Sequence, residues 1–165
     1  MRLPERLIAK TGGFASGFTL IEIILVLGIL IILAQAVVPS LGLNTTAQLN
    51  ESTSQIVVAL RTARERSVAR VNNSAHGIFF TINTSGADSM TLYQGTSYAT
   101  RNATYDQITT FDAALGVTTT LSGNEINFSR SLGVPSNVGN ISISHQSTNS
   151  TRIIQINSYG RIQDN

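Results

Sequence analysis

Glu22 is the residue whose chemistry most needs an explanation, because it is a carboxylate near the start of an apolar segment. The polar side chains within residues 18–38 are those of Thr19, Glu22 and Gln35. An ionisable group in a lipid-spanning helix costs on the order of 2.5–3.5 kcal/mol at mid-helix and is by default functional. Two interpretations stay open: Glu22 meets a cation from a partner, or it lies near an interface and stays hydrated.

The other residues form no recognisable catalytic or metal-binding pattern. The chain has no cysteine, which excludes disulfides, thiolate metal sites and a cysteine nucleophile. His76 and His145 have no metal-ligand spacing with other residues. The sequence also lacks a Gly-x-Ser-x-Gly turn and a phosphate-binding glycine loop. It therefore predicts that the protein is not an enzyme and has no metal or cofactor.

The basic character of the chain lies at its N-terminus. The formal net charge is +2 at pH 7. Three cations and one acid occur within residues 1–17: Arg2, Arg6, Lys10 and Glu5. Residues 18–165 carry eight Arg, no Lys and eight acidic residues, so their net charge is zero. Overall charge therefore does not favour a nucleic acid partner.

The apolar segment predicts a membrane-spanning helix. At about 1.5 Å per residue, residues 18–38 extend roughly 30 Å, the thickness of a bilayer's hydrocarbon core. The N-terminal basic residues precede it, so we expect a cytoplasmic N-terminus and residues 40–165 across the membrane. In an ordinary secretory signal the apolar segment precedes the cleavage site. Here a cut after the small residue Gly17 would leave the helix on the mature protein.

The residues around this junction resemble a known signature. A short motif precedes the apolar run: Gly17-Phe18-Thr19-Leu20-Ile21-Glu22. Together with the short basic leader, it is similar to the cleavage and methylation signature of type IV prepilins and of type II secretion pseudopilins. Pro39 adds to the resemblance, because many pilins have a proline at the corresponding place.

The resemblance implies a series of events. A prepilin peptidase/methyltransferase would cleave after Gly17 and methylate the amino group of Phe18. Glu22 would then pair with the N-terminal ammonium of a neighbouring subunit during filament assembly. The implied partners are that enzyme, other pilin or pseudopilin subunits, an inner-membrane assembly platform and the membrane.

Pro39 predicts a change in the helix. Proline removes a backbone donor and disfavours helical geometry at the preceding residue, Val38. Two alternatives stay open: Pro39 ends a transmembrane helix, or the helix kinks there and continues.

The next segment predicts an amphipathic helix over residues 48–71. Apolar or small residues recur there at steps of three and four: Leu49, Thr53, Ile56, Leu60, Ala63, Ser67 and Val71. Four arginines lie mostly off this stripe: Arg61, Arg64, Arg66 and Arg70. A solvated helix face explains these arginines better than a phosphate-binding face.

After Asn73 the pattern predicts short strands separated by Gly, Asn, Ser and Asp. The candidate strands are residues 76–82, 90–94, 107–111, 117–121, 125–128, 141–145 and 152–157. Turns at residues 83–88 and 158–160 would each close a hairpin.

These elements together predict an α+β fold. We expect one long N-terminal helix, with a transmembrane half and an amphipathic half, packed on a small antiparallel β-rich head as in pilins. The predicted domains are a cleaved leader at 1–17, an assembly helix at 18–39, an amphipathic helix at 40–72 and the head at 73–165. The predicted location is the bacterial inner membrane, as a single-pass protein with an extracytoplasmic head, and a filament after assembly.

The head resembles, more weakly, the minor pseudopilin H and FimT-like minor pilins. The similarity rests on three stretches: residues 76–80, residues 126–128 with Gly133, and residues 152–157 with 160–162. Some FimT-like members bind DNA through a C-terminal Gly-Arg-x-Arg. Here Gly160 and Arg161 are present, but Gln163 replaces the second Arg, so nucleic acid is not an expected partner.

Three functions follow from these observations. The first is a structural subunit, minor rather than major, of a type II secretion pseudopilus or a type IV pilus. The second is a DNA-binding minor pilin of a natural-transformation pilus, for which Arg161 is the candidate contact. The third is a single-span anchored binding domain that never polymerises.

Overall fold

The computed structural model describes residues 17–164, without the side chains of residues 34–44. The predicted leader at 1–17 therefore lies outside the described residues, apart from Gly17. The chain divides into two compact units, the first ending at Ser40 and the second beginning at Leu41. The predicted domain boundaries stay predictions.

The helix α1, Leu20–Val68, begins at a capped N-terminus. The Thr19 carbonyl accepts the Ile23 N–H at 3.2 Å, and Thr19 Oγ1 accepts the Glu22 N–H at 3.3 Å. Threonine followed three residues later by glutamate is typical of a helix start, and the first turn favours a carboxylate through the helix dipole. The helix continues through Pro39 rather than ending there, whereas the kink itself stays a prediction.

The predicted transmembrane half of this helix is wrong. Within the described residues, no helix is both long and apolar enough to cross a membrane. The uninterrupted apolar sequence is short, because Glu22 and Gln35 bound residues 23–34. At 1.5 Å per residue these extend about 18 Å, against roughly 30 Å of hydrocarbon. The predicted single-pass inner-membrane location is corrected with it, whereas the predicted partners stay predictions.

In the second unit, α1 buries one face. Six members of the predicted stripe, from Leu49 to Ser67, are buried, and Ile56, Leu60 and Ala63 are fully so. The helix ends at Val68 because Arg70 takes a left-handed backbone conformation with φ 55°. The seventh predicted member, Val71, lies beyond this end and is 39% exposed.

The rest of the second unit consists of two four-stranded antiparallel sheets. The strands are β1 His76–Thr81, β2 Ser89–Gln94, β3 Gln107–Thr110, β4 Leu115–Thr119, β5 Glu125–Phe128, β6 Gly139–His145, β7 Thr151–Ile156 and β8 Ile162–Asp164. The first sheet has the order β3-β2-β1-β5 and the second β4-β6-β7-β8.

Each of the seven predicted strands overlaps a strand of the structure. The turn at 83–88 joins β1 to β2 and the turn at 158–160 joins β7 to β8, so both predicted hairpins are confirmed. The strand β8 has no counterpart among the predicted strands. This strand has three residues, too few to show an alternating pattern, and its pairing with β7 defines it.

One hydrophobic core joins α1 to both sheets. Ile78 and Phe128 contribute from the first sheet, Ile143 and Ile154 from the second, and all four are fully buried. A buried carboxylate also links the sheets. Asp88 Oδ1 accepts the N–H of Asn83 at 2.8 Å, and Oδ2 accepts the N–H of Val117 at 2.7 Å. Asp88 therefore ties the β1–β2 turn to β4.

The predicted fold class, a long N-terminal helix packed on a small antiparallel head, is wrong. Among the described side chains of α1, the first buried one is Leu49, in the second unit, whereas the residues up to Ser40 form a unit of their own. The physical reason lies in the side-chain pattern. Residues 48–68 have one apolar and one polar face, so one side can enter a core, whereas residues 23–34 have no polar face to orient them.

Candidate functional site

The predicted cleavage site lies in accessible backbone. Gly17, Phe18 and Thr19 precede the first helical residue, and Phe18 is 78% exposed. A Cβ on Gly17 would meet no atom within 4 Å. The local structure therefore does not need glycine here, and a protease could reach the Gly17–Phe18 bond without unwinding α1.

Glu22 is exposed on the first turn of α1, on the same helix face as Phe18, Val26 and Leu27. Its backbone N–H is bonded to Thr19, and among residues 17–164 its carboxylate forms no ion pair. A cation for Glu22 would have to come from outside the described part of the chain. This geometry leaves the predicted assembly contact free to form.

The apolar side chains beside Glu22 are largely exposed in the single chain. Between Phe18 and Leu33 the large hydrophobic residues range from 46% exposed at Val26 to 78% at Phe18. A contiguous apolar surface of this kind marks an interaction site. The side chain of Pro39 falls in the undescribed stretch, so its predicted role stays a prediction.

Arg161, the candidate DNA contact, lies in a basic groove of about 280 Å³. Arg61, Arg64 and Glu65 of α1 form one wall, and Arg161 with its neighbours forms the other. Arg64 Nε donates to the Gly133 carbonyl at 3.3 Å, which holds this guanidinium in place. Three guanidinium groups against one carboxylate give the groove a positive potential. We call it the arginine groove.

The β7–β8 turn positions Arg161 and carries an exposed aromatic residue, Tyr159, two residues before it. Asn157 Oδ1 accepts the N–H groups of Tyr159 at 3.0 Å and Arg161 at 2.9 Å. Gly160 between them has φ 71°, a conformation that favours glycine, and a Cβ there would approach Gly133 O to 3.0 Å. Tyr159 is 83% exposed. The sequence showed the arginines of α1 and Arg161 separately, and the fold brings them together.

A buried network on the outer face of the first sheet escaped the sequence analysis. The Tyr93 hydroxyl donates to Glu125 Oε1 and accepts from Asn127 Nδ2 at 3.0 Å, while Glu125 also accepts the Tyr98 N–H at 2.8 Å. Burial, followed by the bond to Glu125, raises the pKa of Tyr93 far above its usual value. No sequence spacing signals this network, because its four residues come from two strands and a loop.

The Tyr98 ring packs the loop of residues 95–106 against the first sheet. It stacks on Phe79 with ring centroids 3.9 Å apart, and the Arg101 guanidinium lies 3.6 Å over its centroid. Arg101 Nε in turn donates to Asp106 Oδ2 at 2.7 Å. This chain of contacts fixes residues 95–106 and with them the position of Asp106.

The two histidines lie in different sheets, His76 on β1 and His145 on β6. His145 Nδ1 contacts the Ser147 hydroxyl at 3.0 Å. Across residues 17–164, no group of three or more His, Asp or Glu side chains is placed to hold a metal ion.

Comparisons with models of known protein families, with curated proteins and with solved structures find no match to the chain. The resemblance to prepilins and pseudopilins therefore rests on the residues of the motif at 17–22 and stays a prediction. The weaker resemblance of the head to minor pseudopilins stays one as well.

Proposed function

We propose that the protein is a structural subunit, of the minor class, of a type IV pilus or a type II secretion pseudopilus. In this proposal prepilin peptidase cleaves the chain after Gly17 and methylates Phe18. The mature subunit then joins a filament through residues 18–33. The observation that carries the proposal is the motif at 17–22 directly before an exposed apolar helix.

The accessibility of the Gly17–Phe18 bond supports processing. The fold makes no steric demand for glycine at position 17, since a side chain there would meet open space. If cleavage requires glycine at position 17, the requirement would then come from the peptidase that recognises this residue. Cleavage there would also place the new ammonium of Phe18 one helical turn from Glu22.

Exposed apolar surface supports assembly. The large hydrophobic side chains of residues 18–33 remain about half exposed or more in the single chain. Burying apolar area contributes roughly 25 cal/mol per Å², so association of this segment with equivalent helices is strongly favoured. Glu22 on the same surface would find its cation in the N-terminal ammonium of a neighbouring subunit.

The processing step is tested by Gly17→Leu in cells that contain prepilin peptidase. Mass spectrometry of the recovered chain should show N-methylated Phe18 at the start of the wild-type protein and an intact Met1 in the variant. Gly28→Leu is the matched control, because Gly28 also has open space around it and lies away from the motif. Identical N-termini in wild type and Gly17→Leu would contradict processing.

The assembly step is tested by Glu22→Gln. The variant should be processed normally but be lost from sheared filaments and from subunit cross-links. Glu51→Gln is the control, since Glu51 is an exposed carboxylate on the same helix, and its Oε1 accepts a hydrogen bond from Gln55 Nε2 at 3.3 Å. Normal incorporation of Glu22→Gln would remove the assembly role from this carboxylate.

The arginine groove favours a second candidate function, a DNA-capturing minor pilin. Guanidinium groups bind phosphates, and an exposed aromatic ring stacks on unpaired bases. Arg61 and Arg161 line the groove and supply the first chemistry, and Tyr159, two residues before Arg161 in the β7–β8 turn, supplies the second. The absence of a second Arg at Gln163 is offset by the arginines that α1 contributes.

Retention of single-stranded DNA as a function of salt concentration tests this candidate. Arg161→Gln and Tyr159→Ala should each reduce retention, and Arg161→Gln should also flatten the salt dependence. Arg152→Gln and Tyr105→Ala are matched controls, because neither residue lines the groove or lies in the β7–β8 turn. Equal retention by all four variants, or none by the wild type at low salt, would rule the candidate out.

A further inference from the structure

The first sheet has an open edge at the strand β3. Just beyond this strand, the Phe111 N–H donates to the Asp88 carbonyl at 2.9 Å. Hydrogen-bonded pairs alternate along an antiparallel ladder, so in the observed register Thr109 also bonds to β2. The N–H and C=O groups of Ile108 and Thr110 therefore point away from β2. Within residues 17–164, no hydrogen bond reaches these four groups.

Two other sheet edges are capped by the protein itself. At β5 the Ser136 N–H donates to the Asn127 carbonyl at 2.7 Å, and at β4 the Val117 N–H donates to Asp88 Oδ2 at 2.7 Å. An exposed edge is a template for pairing with another chain, and proteins usually protect it with charged residues, proline or a bulge. The β3 sequence, Gln-Ile-Thr-Thr, has none of these. The edge at β3 is therefore open to an added strand.

A groove next to this edge has room for side chains of an added strand. It has a volume of about 480 Å³ and lies between α1 and the first sheet. Its helix wall extends from Gln55 to Arg66, which is roughly 16 Å along the helix axis. Gln107 and Thr109 of β3 lie on its sheet wall. A strand of four or five residues has about this length. We call it the β3 groove.

The pairing register decides which residues of an added strand face the β3 groove. Side chains opposite each other on paired strands share a sheet face, so residues opposite Gln107 and Thr109 would point into the groove. Residues opposite Ile108 and Thr110 would point to the other face and exchange backbone hydrogen bonds with β3. On the helix wall, Val58 is 61% exposed. An apolar side chain opposite Thr109 would therefore bury apolar surface.

The charge of the β3 groove indicates which residue fits beside the start of β3. Arg66 Nη2 lies 3.5 Å from Gln107 Oε1, and no described carboxylate forms an ion pair with this guanidinium. A carboxylate on the residue opposite Gln107 would supply that partner through a charge-assisted hydrogen bond. Arg66 also borders a smaller cavity of about 230 Å³, whose lining includes His76 and Asp106 and which is distinct from the β3 groove.

We propose that β3 binds an extended acidic peptide segment of a partner protein, which adds antiparallel to the first sheet as a fifth strand. Four residues of the segment lie opposite Thr110, Thr109, Ile108 and Gln107, in that order. The first and third exchange hydrogen bonds with the free backbone groups of β3. The second is apolar and enters the β3 groove, and the carboxylate of the fourth contacts Arg66. This surface is separate from residues 18–33 and from the arginine groove.

The test uses the full-length chain in a non-ionic detergent that covers residues 18–33. The probe is the synthetic peptide acetyl-Ser-Thr-Val-Thr-Glu-Ser-amide, in which Thr-Val-Thr-Glu are the four pairing residues. In amide NMR spectra the Ile108 and Thr110 protons should move downfield and exchange more slowly with solvent. The Thr109 amide, already bonded to β2, should change less. Unmoved Ile108 and Thr110 amides at millimolar peptide would overturn the proposal.

Three matched peptides separate strand addition from other binding. Methylation of the nitrogen of the third pairing residue removes the donor to the Ile108 carbonyl and should weaken binding roughly tenfold. Methylation of the second, whose N–H points away from β3, should have little effect. Glutamine in place of the glutamate should weaken binding roughly tenfold, because it removes the charge opposite Arg66. Equal binding of the two methylated peptides would overturn strand addition.

Two variants of the protein provide the second arm. Ile108→Pro should leave thermal unfolding near that of the wild type, since an edge strand tolerates proline where its nitrogen faces solvent, but should bind the probe roughly tenfold more weakly. Arg66→Gln should weaken the glutamate peptide and leave the glutamine peptide unchanged. Arg152→Gln, the same charge change at an exposed position outside the β3 groove, is the control.

Unchanged binding of the glutamate peptide by Arg66→Gln would overturn the acidic character of the segment. Sedimentation of the protein alone provides the last check, because a second copy of the chain could also pair with β3. We expect the same sedimentation for the wild type and Ile108→Pro. A dimer that Ile108→Pro abolishes would show that the second copy is the occupant and would overturn the acidic peptide.

Discussion

Residues 18–33 and the β-rich unit contain similar apolar side chains, but these side chains have opposite environments. In the second unit, Ile56 and Leu60 of α1 are fully buried against the two sheets. In residues 18–33, Leu30 is 54% exposed and Ile32 70%. Apolar content alone therefore does not place a helix in a core. A polar face must also specify which side turns inward.

The largest expected difference between the regions comes from one substitution made in each of them. Leu60→Ala should lower the free energy of unfolding by about 2–5 kcal/mol, because it leaves a cavity in the core. Leu30→Ala should change it by no more than about 0.5 kcal/mol, because Leu30 touches solvent. Urea unfolding of the full-length chain measures both. Equal losses would show that residues 18–33 are packed as tightly as the core.

A pair of glycine substitutions should have a smaller effect. A Cβ on Gly77 would clash with the Tyr93 hydroxyl and lie 2.6 Å from the Ile126 carbonyl, so Gly77→Ala should destabilise by about 1–3 kcal/mol. Gly28→Ala meets open space and should strengthen the helix by up to about 1 kcal/mol. Thermal unfolding compares the two. If Gly77→Ala left the free energy of unfolding unchanged, the Tyr93 side chain could move aside without destabilising the protein.

Removing the Tyr93 hydroxyl should lower the free energy of unfolding by less than Gly77→Ala does. Tyr93→Phe leaves the ring in place but deprives Glu125 and Asn127 of a buried partner, so we expect a loss of about 1–2 kcal/mol. Tyr159→Phe is the control, because Tyr159 is 83% exposed. An alkaline titration followed by ultraviolet absorbance should also show one tyrosine that resists ionisation, since the pKa of Tyr93 is raised. A wild-type titration in which every tyrosine ionises near pH 10 would contradict this network.

The smallest expected effect is a pH dependence from His76. Burial, followed by the nearby Arg66 charge, lowers the pKa of His76 below its usual 6.5. The unfolded chain then binds more protons than the folded chain at mildly acidic pH. The stabilisation is therefore complete above pH 6.5 and is lost as the pH falls through the folded-state pKa. Unfolding free energies at pH 7 and pH 5 should differ less in His76→Gln than in the wild type.

The sequence predicted the strands well and the helices only in part. Runs of β-branched and aromatic residues between turn residues identified the seven longer strands, because this pattern is local. Length and hydropathy misled at residues 18–38. The predicted span of residues 18–38 included the polar residues Glu22 and Gln35. These two residues limit the continuous apolar stretch to residues 23–34.

The candidate sites divide in the same way. Gly17, Phe18 and Glu22 are recognisable from sequence, because their meaning lies in adjacent positions. The sequence showed Arg61 and Arg161 but not that they line one groove. Nothing in the sequence indicates that His76 and Asp106 line the same cavity, because 30 positions separate them. The folded loop of residues 95–106 places Asp106 beside the cavity.

By itself the sequence determined the motif at 17–22, the buried stripe of α1 and the positions of seven strands along the chain. Each of these features depends on neighbouring residues. The tertiary structure alone decided how the strands form two sheets, which arginines converge and that Tyr93, Glu125 and Asn127 form one buried network. The physical reason is that pairing, burial and charge proximity are properties of residues far apart in the chain, and only a folded backbone brings them within range.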